Sequence, residues 1–89
     1  MEKQETLLSK IIEYYGDESE ILMADGFDEA VIGIEESTMR LIYSVNRCIE
    51  ILILEGLSWE DAIEHFDFNV KGAYVGEQTP IWCDDQFEY

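Results

Sequence analysis

Apolar residues recur along this chain at two different periods, and the change from one to the other lays out its elements. Leu7, Leu8, Ile11, Ile12 and Tyr15 return at four-residue steps, one face of a helix, with Thr6 placed to cap it and Gly16 to stop it. The spacing predicts a first helix over about 6–15. Asp17-Glu18-Ser19-Glu20 then reads as an acidic connector, and Asp25-Gly26-Phe27-Asp28-Glu29 as a turn, because Asp-Gly readily supplies positive φ. Ala30-Val31-Ile32-Gly33-Ile34 is β-branched and apolar, and Thr38-Met39-Arg40-Leu41-Ile42-Tyr43 is a second extended run. With the polar Glu35-Glu36-Ser37 between them, they predict an antiparallel hairpin.

Helical spacing then returns. Ser44 is placed to cap a helix carrying Val45, Cys48, Ile49, Leu52 and Ile53 on one face. Ile51 and Leu54 add apolar residues on its other sides, which predicts burial over much of its girth. Gly56 ends that helix, Leu57 bridges, and Ser58 caps the next, predicted over about 59–67. Trp59, Ala62, Ile63, Phe66 and Val70 share one face of it, while Glu60, Asp61, Glu64 and Asp67 fall largely on the other. Phe68 to Lys71 either extend or unwind this helix, with Gly72 a left-handed stop. Ala73-Tyr74-Val75-Gly76 is a glycine-bounded crossing, and Pro80 leads a short strand, Ile81-Trp82-Cys83. The order α-β-β-α-α-β predicts a single α+β domain over residues 1–89. Its three-stranded antiparallel or mixed sheet has the last strand beside the hairpin and helices on one face; 1–5 and 84–89 are expected to be loose.

Charge changes this picture most. Five basic residues against 21 acidic ones leave a net charge of -16 on 89 residues. Self-repulsion of that size argues against direct contact with nucleic-acid phosphates or anionic lipid, and favours a basic partner or plain solubility. Apolar residues at 47% nevertheless supply a core, so disorder is not expected. The first residues, Met1 to Glu5, lack the apolar stretch of a secretory signal, and the longest apolar run, Ile51 to Leu54, is far too short to span a bilayer.

Candidate chemistry is sparse. Cys48 and Cys83 lack the spacing of a metal or redox pair and read as reduced, small hydrophobic residues. His65, the one histidine, shares a helix face with Asp61, but no nucleophile or second histidine stands at a recognisable spacing to it. The Asp25–Glu29 turn lacks the ligand pattern of a calcium loop, and no glycine-rich phosphate loop is present. The expectation is a binding protein rather than an enzyme, without metal or cofactor. Two surfaces are candidates. The first is acidic: Glu60, Asp61, Glu64 and Asp67 along one helix, with Asp25 and Asp28 in the turn. Dense carboxylates of this kind can imitate the charge spacing of nucleic acid. The second is the glycine-flexed segment bearing Asn69, Tyr74, Glu77 and Thr79, which offers stacking and hydrogen bonds to a ligand or a second copy.

The blocks Asp25-Gly26-Phe27-Asp28-Glu29-Ala30-Val31-Ile32-Gly33, Arg47-Cys48-Ile49-Glu50-Ile51-Leu52, Glu60-Asp61-Ala62-Ile63-Glu64 and Phe68-Asn69-Val70-Lys71-Gly72-Ala73-Tyr74-Val75-Gly76-Glu77, then Thr79-Pro80-Ile81, resemble a family of small uncharacterised bacteriophage proteins. The resemblance covers about residues 25–82 and leaves out the first helix. It implies a non-structural phage product acting in the host bacterial cytoplasm, and carries no catalytic residue or cofactor with it. The expected function is an accessory protein that binds and modulates or inhibits a host or anti-phage defence protein with a basic surface. A dimeric nucleotide-signal binder using the second surface, and a minor virion or assembly component, are the alternatives. The short last strand leaves a sheet edge suited to a homodimer.

Overall fold

In the computed structural model, residues 6–15, 21–24, 26–72, 76 and 79–87 are described. The expectations for residues 1–5, Gly16, the 17–20 connector, Asp25, the 73–75 crossing, Glu77 and the last two residues lie outside them. The elements are helix α1 (Leu7–Tyr15), strands β1 (Val31–Glu35) and β2 (Arg40–Ser44), helices α2 (Val45–Leu54) and α3 (Trp59–His65), and strand β3 (Ile81–Cys83). A 3-10 turn, Asp28–Ala30, precedes β1, and a π-helical segment, Phe66–Lys71, continues α3. This is the expected α+β class.

The sheet order is β1-β2-β3, with β1 antiparallel to β2 and β3 parallel to it, so the sheet is mixed. The hairpin therefore forms as its sequence indicates, shifted by one or two residues from the expected limits. A register irregularity between Val31 and Gly33 adds one residue to β1. It lets Val31 and Ile34, three apart, both serve the core, which strict alternation would forbid. Leu41 and Tyr43 are fully buried beside them. The Tyr43 hydroxyl accepts a 2.7 Å bond from the Ala24 N–H, which ties the segment before the turn to the central strand. Burial, opposed by that bond, raises the phenol above its ordinary pKa.

The helices pack on this sheet around Leu8, Ile11, Val45, Cys48, Ile49, Leu52, Ala62 and Phe66. Burial pushes the Cys48 thiol up to about 12, so it behaves as the small hydrophobic residue its position suggests. Three local devices act as the sequence indicates. Thr6 Oγ1 accepts from the Ser9 N–H at 3.1 Å, Ser44 Oγ from the Arg47 N–H at 3.0 Å and Ser58 Oγ from the Asp61 N–H at 3.1 Å. Between α2 and α3, Gly56 at φ 114° lets its own N–H reach the Ile53 carbonyl while the Leu57 N–H reaches that of Leu52. That pair of bonds is a Schellman closure, and it turns the chain from α2 into the α3 cap within a few residues.

Several expectations are corrected. Leu54 is 87% exposed, because it lies half a turn away from the buried line of α2 through Val45, Cys48, Ile49 and Leu52. Trp59 is 61% exposed, since it opens α3 before the helix has reached the core. Gly72 has φ -79°, so the π-helical segment ends without a left-handed residue. The hairpin turn extends to Met39, which takes the left-handed value φ 58°. The tail, expected to be loose, is held at Asp85, which bonds to Ser44 and Asn46.

The hairpin end carries a titrating element. Glu35 accepts from the Thr38 hydroxyl at 2.6 Å, the Ser37 hydroxyl at 2.7 Å and the Thr38 N–H at 2.9 Å. The Thr38 hydroxyl first, then Ser37, hold its carboxyl down at about 2, against an ordinary 4.5. A pKa depressed by folding contributes stability that is present above the unfolded value and lost as pH falls toward the folded one. Thermal melts of the wild type from pH 5 to pH 2 should therefore fall more steeply than those of Glu35→Gln. Parallel curves would show that this carboxylate does not hold the turn.

Candidate functional site

The acidic face is a consequence of how α3 is anchored. Its cap fixes the start, and Ala62 and Phe66, both at zero exposure, set which side faces the core. Helical period then turns Glu60, Asp61, Glu64 and Asp67 outward, and all four are exposed. Glu60 and Asp61 also sit in the first turn, where the positive end of the helix dipole tolerates their charge. Among the described residues, none of these four carboxylates has a hydrogen bond or ion pair. They are left to water or to a partner.

Asp28 joins this helix through aromatic packing. Phe27 is buried, its ring edge-on to that of Phe66 at 6.5 Å between centroids. Phe66 in turn stands edge-on to Trp82 of β3 at 5.4 Å, and Trp82 lies 5.1 Å from Tyr43. One aromatic chain thus links the turn, the end of α3, β3 and the central strand. Asp28, beside Phe27, is exposed. The proximity of turn and helix, only suggested by the sequence, is made by Phe27 and Phe66. Asp25 lies outside the described residues.

The second candidate surface divides differently. Asn69 is exposed on the π-helical segment, its Nδ2 3.4 Å from His65 Nδ1, a long and weak contact. Asp61 and His65, one helical turn apart, are not joined by any hydrogen bond among the described residues. Thr79 is 8% exposed, and its hydroxyl donates to the Gly76 carbonyl at 2.6 Å. The Thr79 carbonyl accepts from Arg40 Nε, also at 2.6 Å, so this residue fastens the loop to β2. Tyr74 and Glu77 lie outside the described residues.

One feature of the surface was not legible from the spacing. Phe68 is 75% exposed, next to Asp67 and one turn beyond Glu64, so the acidic side of the helix also carries an aromatic ring. The spacing placed Phe66 on the apolar face but left open whether Phe68 to Lys71 extend or unwind the helix, so it did not place this second ring. Among the described residues no helix is long and apolar enough to cross a membrane. No protein-family model, curated protein or solved structure matches the chain.

Proposed function

We propose that this chain is a phage-encoded accessory protein of the host bacterial cytoplasm that binds, and so modulates or inhibits, a host or defence protein with a basic surface. The observation that carries the reading is the outward row Glu60, Asp61, Glu64 and Asp67, exposed and, among the described residues, unpaired on a helix firmly seated in the core. A net charge of -16 steers a basic partner toward such a face and repels nucleic acid and anionic lipid. Row and charge together suit a partner that itself handles nucleic acid, because the carboxylates stand where phosphates otherwise would. The phage origin rests on the resemblance over residues 25–82.

The test is retention of bacterial proteins on the tagged wild type and on the variant E60Q/D61N/E64Q/D67N. The neutralised variant should still fold. Relief of repulsion in a chain of net charge -16 offsets the lost helix-dipole contribution of Glu60 and Asp61, and among the described residues the four carboxylates make no bond. A basic protein retained by the wild type should be lost by the variant. It should also be lost when salt rises from about 0.1 M to about 1 M, which shortens the screening length from about 10 Å to about 3 Å. Retention that survives both changes would overturn the electrostatic reading.

A further inference from the structure

The C-terminal segment Asp84–Phe87 leaves β3 and runs to the start of α2, and every one of its residues is exposed. Among the described residues, its hydrogen bonds to the rest of the protein come from one side chain. Asp85 Oδ2 accepts from the Ser44 hydroxyl at 2.6 Å, and Asp85 Oδ1 from the Asn46 N–H at 3.0 Å. The Gln86 side chain bonds only to Asp84, inside the segment, and Phe87 is 72% exposed. At the same helix end, the Ser44 oxygen accepts from the Arg47 N–H. Two of the first N–H groups of α2 are therefore capped by different residues, Arg47 by its neighbour Ser44 and Asn46 by a carboxylate from across the chain.

We propose that Asp84–Phe87 is a strap held to the body through the Asp85 carboxylate, and that neutralising this one charge opens the strap as a unit while the fold stays closed. Among the described residues nothing apolar holds it: Phe87, its one large hydrophobic residue, is exposed and does not pack on the core. The neighbouring strand end does not move with it, because Cys83 is in parallel register with Ser44. Opening frees an acidic segment with an exposed aromatic ring and bares the Asn46 N–H. This device does not depend on the acidic face of α3.

The groups around the latch set the direction of its response. Burial alone would raise the Asp85 carboxyl. The bonds from Ser44 and Asn46, with Arg47 nearby on α2, outweigh burial and hold it below the ordinary 3.8. The Cys48 thiol, also close, is pushed up to about 12 and stays neutral in acid. Ser44 and Asn46 do not titrate. A depressed carboxyl means that the strap is closed above the unfolded value and opens as pH falls through the folded one.

Heteronuclear NOE and amide exchange, measured by NMR on the full chain, test this. In Asp85→Asn at pH 7, NOE values of Gln86 and Phe87 should drop to those of free chain ends. Exchange at Asn46 should rise by about tenfold or more, as expected for a lost bond to a charged acceptor, with a smaller change at Arg47. Asp84→Asn should leave both unchanged. On acidification, the wild-type tail should lose its NOE in one step while core amides such as Leu52 stay protected, and Asp85→Asn should show no step. An ordered tail with unchanged Asn46 exchange in Asp85→Asn would overturn the proposal. So would equal effects of the two variants, or the same acid step in Asp85→Asn.

Discussion

Phe66→Ala should be the most damaging single truncation in this protein, lowering stability by about 3–5 kcal/mol. The ring has zero exposure and touches Phe27 on one side and Trp82 on the other, so its removal opens a cavity walled by rings from two separate elements, the turn before β1 and β3. None of those walls can collapse without moving a strand, a turn or a helix. For a chain of this length each kcal/mol is worth about 4–8 °C in Tm, so the variant should melt well over 10 °C below the wild type or fail to fold at ambient temperature. Circular dichroism melts of Phe66→Ala and Phe66→Leu make the check, with the leucine variant losing distinctly less. A fall of under about 4 °C for the alanine variant would mean that the turn and β3 are not joined through this ring. The consequence reaches the surface, because the same ring fastens the Asp28 turn to the acidic helix.

The second large effect is expected at Ser44. Its hydroxyl is fully buried and makes two bonds, one accepted from the Arg47 N–H and one donated to Asp85. Ser44→Ala removes a helix cap, worth about 1 kcal/mol, and leaves the Asp85 carboxylate short of a donor, where bonds to charged groups are worth about 1.5–3 kcal/mol in buried settings. Asp85 is exposed, so water replaces much of the second loss, and about 2 kcal/mol in total is the expected outcome. Urea unfolding of Ser44→Ala, Asp85→Asn and the double variant closes a cycle. The double variant should cost less than the sum of the singles by about 0.5 kcal/mol or more, because both singles break the same bond. Strict additivity would show that the two residues act separately at the helix end.

Both predictions concern residues whose importance is only half visible in the sequence. Ser44 is plain as a cap, since a serine before an apolar helical stripe offers its oxygen to an N–H three residues on. That the same hydroxyl would also donate its proton to Asp85, 41 residues away, has no trace in local spacing. The acidic face was legible for the same reason as the cap: Glu60, Asp61, Glu64 and Asp67 follow one helical period from a start marked by Ser58. Its exposed ring, Phe68, and its link to the Asp28 turn were not, because periodicity says which residues share a side and not which side meets another element.

The local chemistry of the chain by itself determined the three helix starts, the glycine closure after α2, the hairpin and the sign of the surface. These depend on contacts within a few residues, where spacing and side-chain type settle the geometry. Only the tertiary structure decided that β3 runs parallel to β2, that Leu54 and Trp59 face solvent, and that a register irregularity in β1 turns both Val31 and Ile34 to the core. It also decided that the tail returns to α2. Each of these is chosen by competition among apolar and polar groups far apart in the chain for one limited core. The winners are set by which surfaces can be buried together, and no single segment contains that information.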